Sequence, residues 1–243
     1  MFMYGMYGYG YGYGFDPTII LVLIGVALSL WAQGRVNSTF SRYSRVRSMT
    51  GMTGAEAARR LLNAQGIYDV TVQPIAGELT DHYDPRTKTV NLSQSVYGAT
   101  SVAAIGVAAH ECGHAMQDNE GYAPLRFRSA LVPAANFGSK LSWPLILLGL
   151  VFGGLGSPLV EIGILMFSLA VLFQLVTLPV EYNASARAVR LLDSQGILAG
   201  EEVSGTRKVL NAAALTYVAA AATSILQLLR LIILFGGRNR RDN

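Results

Sequence analysis

The chain has 243 residues, of which 51% are hydrophobic and only 14% are charged, and its mean hydropathy is +0.37. This composition excludes an ordinary soluble domain and indicates a membrane protein, while the length leaves room for one compact domain outside the bilayer. The net charge of +4 is small, and no arginine-rich face with interleaved aromatic residues is present, so no nucleic-acid partner is expected. A single cysteine excludes an internal disulfide framework.

The first 33 residues combine a low-complexity tail with an apolar segment. Residues 1–16 are dominated by Gly and Tyr, a composition with nothing to pack, and we interpret them as a tail. Residues 17–33 are predicted to form a first transmembrane helix, because residues 18–33 carry no charge and are rich in Leu, Ile and Val. No basic residue precedes this helix, whereas four arginines follow it within residues 34–47. The positive-inside rule therefore places the N-terminus outside and the following residues in the cytoplasm.

Residues 34–130 are predicted to form the cytoplasmic, catalytic part of a small α+β domain. A capping box at residues 53–56 starts an amphipathic helix that stops at Gly66. Alternating apolar residues predict a strand at 68–75, and residues 79–93 predict two short strands joined by a turn. The free edge of such a hairpin, immediately before the helix of residues 102–117, can accept an extended chain as an added strand.

The sequence HECGH at residues 110–114 is the strongest functional signal. A run of small apolar residues precedes it without proline and predicts a buried helix. Residues four apart lie on one helix face, so His110 and His114 can offer two imidazole nitrogens to one metal ion. Glu111, next to the first histidine, can take a proton from a water molecule activated by that ion. Two imidazoles, a carboxylate and one open position suit Zn²⁺ best.

The rest of the chain is mostly apolar. Residues 131–180 are predicted to form a membrane helical hairpin, with two uncharged runs and a turn signal near residues 156–161. Residues 181–211 are predicted to contain a second catalytic helix. This helix begins where the hairpin returns to the cytoplasm. Residues 212–243 hold an apolar helix, either a fourth span or an interfacial helix, and a basic C-terminus. We favour the interfacial placement, because Arg230 interrupts the apolar run and a crossing would place the terminal arginines outside.

A catalytic zinc site needs a third protein ligand. Glu181 is the preferred candidate, since it opens the predicted second catalytic helix beside the returning hairpin. Ser185, one turn later, is positioned to orient a ligand histidine. Glu120 is the less favoured alternative: it lies six residues after His114, but Gln117 replaces the glycine that a metzincin turn requires.

Four other residues near the motif receive structural interpretations. We interpret His82 as a polar strand residue or hairpin stabiliser in preference to a metal ligand. Cys112 lies on the helix face opposite to the motif histidines and is expected to pack in the core. Arg187 and Arg190 are expected on a solvated helix face, with pairing to carboxylates near the site as the alternative.

Several long stretches of the sequence resemble one known family. They include TGAEAARRLL, DHYDP, SVAAIGVAAHECGHAMQ and PVEYNASARA, and the resemblance covers almost the whole chain. HExxH, then a membrane hairpin, then ExxxS/D on a helix is the order found in integral-membrane gluzincins such as HtpX and the CAAX prenyl proteases. The chain resembles the YugP-type neutral zinc metallopeptidases more closely still.

The resemblance implies a zinc-dependent peptidase fold with His110 and His114 as metal ligands and Glu111 as catalytic base. It implies Glu181 as the third ligand, because this residue matches the glutamate of the ExxxS/D helix. A zinc ion is therefore the expected cofactor.

The chain departs from the gluzincin pattern at three points. Relatives usually have Asp where Ser185 stands, and the Gly/Tyr tail has no counterpart among them. They also place a His or Tyr that stabilises the transition state downstream of the third ligand. No histidine follows His114 in this sequence, which leaves Tyr217 as the candidate for that role.

Together these features predict a mainly α membrane protein with three transmembrane helices, an undecided fourth, and a small α+β zincin-like catalytic domain. We expect a zinc metalloendopeptidase of a bacterial plasma membrane, hydrolysing peptide bonds at the cytoplasmic face, with a polypeptide substrate and the lipid bilayer as partners. Two alternatives stay open. One is a non-enzymatic zinc-binding scaffold, or pseudoprotease, against which the intact Glu111 argues. The other is an intramembrane protease, for which a partner motif such as NxxPxxxxDG in another span is missing.

Overall fold

A computed structural model describes residues 16–154 and 157–236. The Gly/Tyr-rich tail predicted for residues 1–16 lies outside the described residues except for Asp16, and so does the basic C-terminus beyond Gly236. The elements in chain order are α1 (Ile19–Tyr43), α2 (Gly54–Ala64), β1 (Thr71–Ile75), β2 (His82–Asp84), β3 (Thr89–Ser93), α3 (Gln94–Tyr97), α4 (Val102–Asn119), α5 (Ala123–Gly153), α6 (Pro158–Ser194) and α7 (Glu201–Phe235).

Four of these helices, α1, α5, α6 and α7, are long and apolar enough to cross a membrane. Helices α5 and α6 pack against each other as a hairpin, as predicted for residues 131–180, although both extend beyond those bounds. Helix α1 likewise continues ten residues past the predicted end of the first span at Gln33. The chain is a mainly α membrane protein with a small α+β part, as its composition and patterning predict.

Helix α7 runs antiparallel to α1, which speaks against the favoured interfacial placement of residues 212–236. At one end of the pair, Nη2 of Arg230 lies 2.8 Å from Oδ2 of Asp16. Near the other end, the ring of Tyr43 packs directly on Gly205. Arg230 was one of the two reasons to doubt a fourth span, beside the arginines of the C-terminus, and the carboxylate of Asp16 neutralises its charge. A helix paired with α1 over this distance shares its placement, so α7 is a fourth candidate span.

Helix α6 is continuous, so Glu181 does not open a second helix as predicted. Pro179 lacks an N–H group and interrupts the helical hydrogen bonds locally, but neighbouring helices stabilise such positions in membrane proteins. With 37 residues, α6 is about 55 Å long, whereas the apolar core of a bilayer is about 30 Å thick. One helix is therefore long enough to cross the membrane and then continue into the α+β part, carrying Glu181 with it.

The α+β part contains a three-stranded sheet of order β1-β3-β2. The predicted hairpin is confirmed: β2 and β3 pair antiparallel, and Oδ1 of Asp84 accepts the backbone N–H of Arg86 in the turn. The parallel pairing of β1 with β3 was not predicted. The predicted capping box is confirmed as well, since Thr53 and Glu56 each accept the other's backbone N–H at the start of α2.

Helix α4 lies at the centre of the molecule. It packs on α2 on one side and on α6 and α7 on the other. Its buried face includes Ile105, Ala108 and Ala109, which belong to the core shared with α2, the sheet and the C-terminal end of α6. The HECGH sequence therefore lies where the α+β part meets the long helices.

Candidate metal centre

Two helices bring the candidate ligands together. Helix α4 carries His110 and His114, and α6 carries Glu181. The helices approach closely because Gly113 faces α6: a Cβ atom at this position would lie 2.6 Å from the carbonyl oxygen of Ala184. The glycine inside HECGH therefore sets the spacing that lets both histidines reach the glutamate.

The three side chains converge on one point. Oε2 of Glu181 lies 3.2 Å from Nε2 of His110 and 3.6 Å from Nε2 of His114. Around a tetrahedral zinc ion with bonds of about 2.0–2.1 Å, neighbouring ligand atoms are about 3.3–3.4 Å apart. Among the described residues, these three form the group of histidine, cysteine and carboxylate side chains with the spacing of a metal site.

The other nitrogen of each histidine is held by a neighbouring side chain. Nδ1 of His114 donates to Oε1 of Gln117 at 3.0 Å, and Oγ of Ser185 lies 3.1 Å from Nδ1 of His110. An acceptor at Nδ1 fixes the tautomer in which the lone pair of Nε2 points at the metal. The sequence-based role of Ser185, to orient a ligand histidine, agrees with this contact.

The local electrostatics favour a cation at this point. His114 and Glu181 are almost fully buried, and Glu111 lies beside them. Burial disfavours protonation of His114, but the hydrogen bond to Glu181 and the charge of Glu111 outweigh it and raise the pKa of the imidazole. Two carboxylates lie close to two imidazoles in this small volume. A divalent metal ion can replace the proton on the imidazole and compensate the negative charge of the carboxylates. The donor set therefore fits Zn²⁺.

Two clefts meet at the convergent side chains. One, of about 330 Å³, opens beside β2 and α5, and the other, of about 320 Å³, opens between α1 and α7. His110, Glu111, Glu181 and Tyr217 line both clefts. No side chain in the described part of the chain donates a hydrogen bond to Glu111, so its carboxylate is available to a molecule in the cleft. A polypeptide lying across the site can therefore extend in both directions.

A positively charged side chain that the sequence did not single out also faces the site. Nη2 of Arg128, on α5, lies 3.8 Å from Oε1 of Glu181, and the guanidinium lies over the ring of Phe173. Nε of Arg128 is buried and has no hydrogen-bond acceptor within residues 16–154 and 157–236. Arg128 and Tyr217 both line the cleft beside β2 and can donate hydrogen bonds.

The structure separates several other candidates from the centre. Glu120 pairs with Arg187 at 2.6 Å, a contact that lowers the pKa of the carboxyl group and leaves it outside the metal-capable group. His82 contacts Asn91 of β3 and the backbone of Thr80, as expected of a hairpin stabiliser.

Cys112 is fully buried, and its thiol donates to the carbonyl oxygen of Ala58. Burial raises the pKa of this thiol, as expected for core packing. Arg187 pairs with a carboxylate and so departs from the solvated face expected of it, whereas Arg190 is exposed beside the groove between α6 and α7.

Gln117 is the residue that sequence reasoning missed. It is completely buried and contacts both the helix of the histidines and the helix of the glutamate. The available signal was its position three residues after His114, on the same helix face as the ligand pair. A polar amide one turn beyond a predicted ligand in a buried helix predicts a partner for that ligand.

Comparison with known proteins agrees with this geometry. A model of the family described as "Putative neutral zinc metallopeptidase" matches residues 18–236. The chain belongs to this family. Over 224 residues it is 49% identical to the "Putative membrane protease YugP" of Bacillus subtilis (strain 168), covering 92% of this chain and 98% of that protein. No solved structure matches the chain.

The family description names zinc, and zinc is also the metal that the donor set of the convergent side chains fits. The match extends from the start of α1 to the end of α7, so both the α+β part and the four candidate spans belong to the family's common architecture. This member of the family is therefore a multi-pass membrane protein.

Proposed function

We propose that the protein is a membrane-bound zinc metalloendopeptidase in which His110, His114 and Glu181 hold Zn²⁺ and Glu111 is the catalytic base. The observation that carries this proposal is the convergence of two imidazole Nε2 atoms on one carboxylate oxygen where two clefts meet. A zinc ion bound there supplies a Lewis acid that polarises the scissile carbonyl and makes a water molecule more acidic.

Glu111 moves the proton. Its carboxylate lines both clefts and has no competing hydrogen-bond donor among the described side chains, so it can accept a proton from the attacking water. The same carboxyl group then delivers that proton to the nitrogen of the departing amine. Its position next to His110 in α4 keeps it beside the peptide bond through both transfers.

Tyr217 and Arg128 supply hydrogen bonds to the carbonyl oxygen as negative charge develops on it. Both side chains line the cleft beside Glu181, and the unused Nε donor of Arg128 is buried there. Donors placed at a developing oxyanion in a partly buried site typically contribute about 10²–10³-fold to the rate. Tyr217→Phe should lower kcat with zinc content unchanged, and an unchanged kcat would exclude this role.

The substrate docks as an extended strand beside β2. This strand is at the edge of the sheet, and the residues from Asp81 to Arg86 line the cleft that contains the centre. Backbone groups on the free edge of β2 can pair with an extended peptide without selecting its sequence. A second cleft shares His110, Glu111, Glu181 and Tyr217 with this one, so a chain could extend to either side of the centre, which supports the assignment as an endopeptidase.

The site faces the cytoplasm, with the N-terminus outside, because the arginines that follow the first span obey the positive-inside rule. Helix α4, which carries the histidines, is not among the candidate spans, and this supports a site at the membrane surface over one inside the bilayer. A cysteine at exposed Asn63 should react with an impermeant maleimide only after permeabilisation, and one at exposed Leu159 should react in intact cells. The opposite pattern would overturn this orientation.

The decisive experiment is Glu111→Gln in the purified full chain. Cleavage of an unfolded model polypeptide should fall to background, while zinc content stays near one per chain, because the imidazole and glutamate ligands are untouched. Glu120→Gln is the matched control and should retain activity, since Glu120 pairs with Arg187 away from the centre. If the wild-type protein shows no chelator-sensitive cleavage, the alternative of a non-enzymatic zinc-binding scaffold is favoured.

A further inference from the structure

A second concave site lies on the other side of the α1–α7 pair. It is a groove of about 680 Å³ between α1, α6 and α7, which we call the basic groove. The residues that line it and can contact a ligand through polar groups are Arg35, Ser38, Thr39, Arg42, Lys208 and Asn211. None of them lines the two clefts of the metal centre.

The positive charge of this groove is not compensated. No carboxylate among the described residues lines it, and neither Arg35 nor Lys208 forms an ion pair or side-chain hydrogen bond in the part of the chain that the structure describes. The guanidinium of Arg42 contacts the ring of Tyr43 at 5.7 Å. By contrast, Arg230 near the other end of α7 is paired with Asp16. Three cations that converge without a counter-charge indicate an anionic ligand.

The groove lies where the apolar surface of the long helices ends. On α1, the last exposed apolar residues are Leu30 and Trp31, and Arg35 follows one turn later. On α6, the apolar run ends at Val180, and Tyr182 projects from the next turn into the groove. Aromatic and basic side chains at the end of an apolar band mark the level of the lipid headgroups in a bilayer. This level does not depend on which face of the membrane the groove occupies.

We propose that the basic groove binds the phosphate of an anionic phospholipid headgroup. Arg35, Arg42 and Lys208 supply the charge, and the hydroxyl groups of Ser38 and Thr39 supply further donors for phosphate oxygens. The acyl chains extend from the groove along the exposed apolar surface of α1. Basic pockets between transmembrane helices are a recognised way to hold such headgroups. Because α1 and α7 also line one cleft of the metal centre, the bound lipid stabilises the packing of these two helices beside the centre.

The test uses the full chain in a neutral detergent, with retention of phosphatidylglycerol and phosphatidylcholine compared by native mass spectrometry. Wild-type protein should retain phosphatidylglycerol in preference. Substituting one groove cation, as in Arg35→Gln, should weaken this retention about fivefold, and replacing all three should weaken it about 100-fold. The matched control replaces Arg45, Arg47 and Lys140 by Gln, which removes the same charge from positions outside the groove and the clefts.

Each result decides the proposal. If the groove and control triple variants lose phosphatidylglycerol equally, the lipid is attracted by positive charge in general, and the proposal is overturned. Equal retention of the two lipids by the wild-type protein would also overturn it. Glycerol 3-phosphate and inorganic phosphate distinguish the source of the ligand: displacement of the lipid by either at millimolar concentration would overturn the lipid assignment in favour of a soluble phosphate. Unchanged helix content and zinc content in the groove variants exclude misfolding as the cause, and the single substitutions repeat the test if the triple variant fails to fold.

Discussion

Oε1 of Gln117 accepts a hydrogen bond from Nδ1 of His114 at 3.0 Å, within a single helix. The amide Nε2 of the same side chain donates to the carbonyl oxygen of Val180 and to Oδ1 of Asn183, both at 2.9 Å and both on α6. Gln117 therefore orients one proposed zinc ligand and at the same time fixes the helix that carries another. This double role makes it the most informative residue outside the proposed ligand set.

Replacing Gln117 by Leu should weaken zinc binding about 10- to 100-fold, because partners that orient a ligand histidine typically have effects of this size. The substitution should also lower the midpoint of thermal unfolding, since the donors and acceptors that Gln117 pairs with stay buried without partners. Titration against a competing chelator measures the first effect. Gln65→Leu, at the exposed end of α2, is the control and should change neither quantity. Wild-type zinc affinity in the Gln117 variant would contradict the proposed role.

Glu181→Ala and Glu120→Ala distinguish the two candidates for the third ligand. Loss of Glu181 should leave purified protein with little zinc after brief exposure to a weak chelator, because only two imidazoles then remain. Loss of Glu120 should leave zinc content near one per chain, since its carboxylate is engaged by Arg187. The reverse result would assign the ligand to the end of α4 and remove α6 from the centre.

Gly113→Ala tests whether close helix packing sets the geometry of the centre. The added methyl group meets the carbonyl oxygen of Ala184 at 2.6 Å, so the two helices must separate. Overpacking of this kind typically costs about 1–3 kcal/mol, and the displacement should also weaken zinc binding. Gly34→Ala is the matched control: its Cβ meets nothing within 4 Å on exposed α1, and replacing a helical glycine should stabilise the protein by about 0.5–1 kcal/mol. Thermal unfolding measures the change in stability, and zinc titration measures the change in affinity. If the two variants have the same stability and the same zinc affinity, the packing argument is refuted.

Tyr83→Phe tests the docking of substrate along β2. The hydroxyl of Tyr83 donates to Oδ2 of Asp118 at 2.8 Å, and Nζ of Lys88 lies 3.0 Å from the same oxygen, so these contacts hold the hairpin on the end of α4. Removing the hydroxyl should loosen the edge strand and raise KM for an extended peptide, with kcat and zinc content little changed. Tyr97→Phe removes a comparable hydrogen bond with Arg59 away from the clefts and should leave KM as in the wild type. An unaltered KM for Tyr83→Phe would argue against strand docking.

Local patterns in the sequence predicted the parts of the centre that depend on helix periodicity. The spacing of His110 and His114 placed both rings on one face, and Ser185 stands one turn after Glu181 for the same reason. The capping box and the hairpin turn also follow from side chains that bond to nearby backbone groups. These features involve residues within a few positions of one another, so the sequence shows them directly.

Features that depend on contacts between distant segments were not predicted. One example is the parallel pairing of β1 with β3, and another is the antiparallel pairing of α1 with α7. Neither pairing produces a periodic pattern in the sequence of the paired elements. Arg230 was one of two arguments against a fourth span, and the sequence does not show its contact with Asp16, which removes that argument. Similarly, the end of the uncharged run at residue 180 suggested that Glu181 opens a new helix, whereas α6 is continuous and packs against neighbouring helices.

The pairing of α1 with α7 has a consequence for biosynthesis. Asp16 and Arg230 are 214 residues apart, so the ribosome makes one partner long before the other. Until residues 201–235 have been translated and inserted, α1 has no helix to pair with and the cleft lacks the phenol of Tyr217. If the protein is the peptidase proposed above, the nascent chain therefore lacks one wall of the cleft and one proposed hydrogen-bond donor until α7 is in place, and the order of synthesis delays full activity.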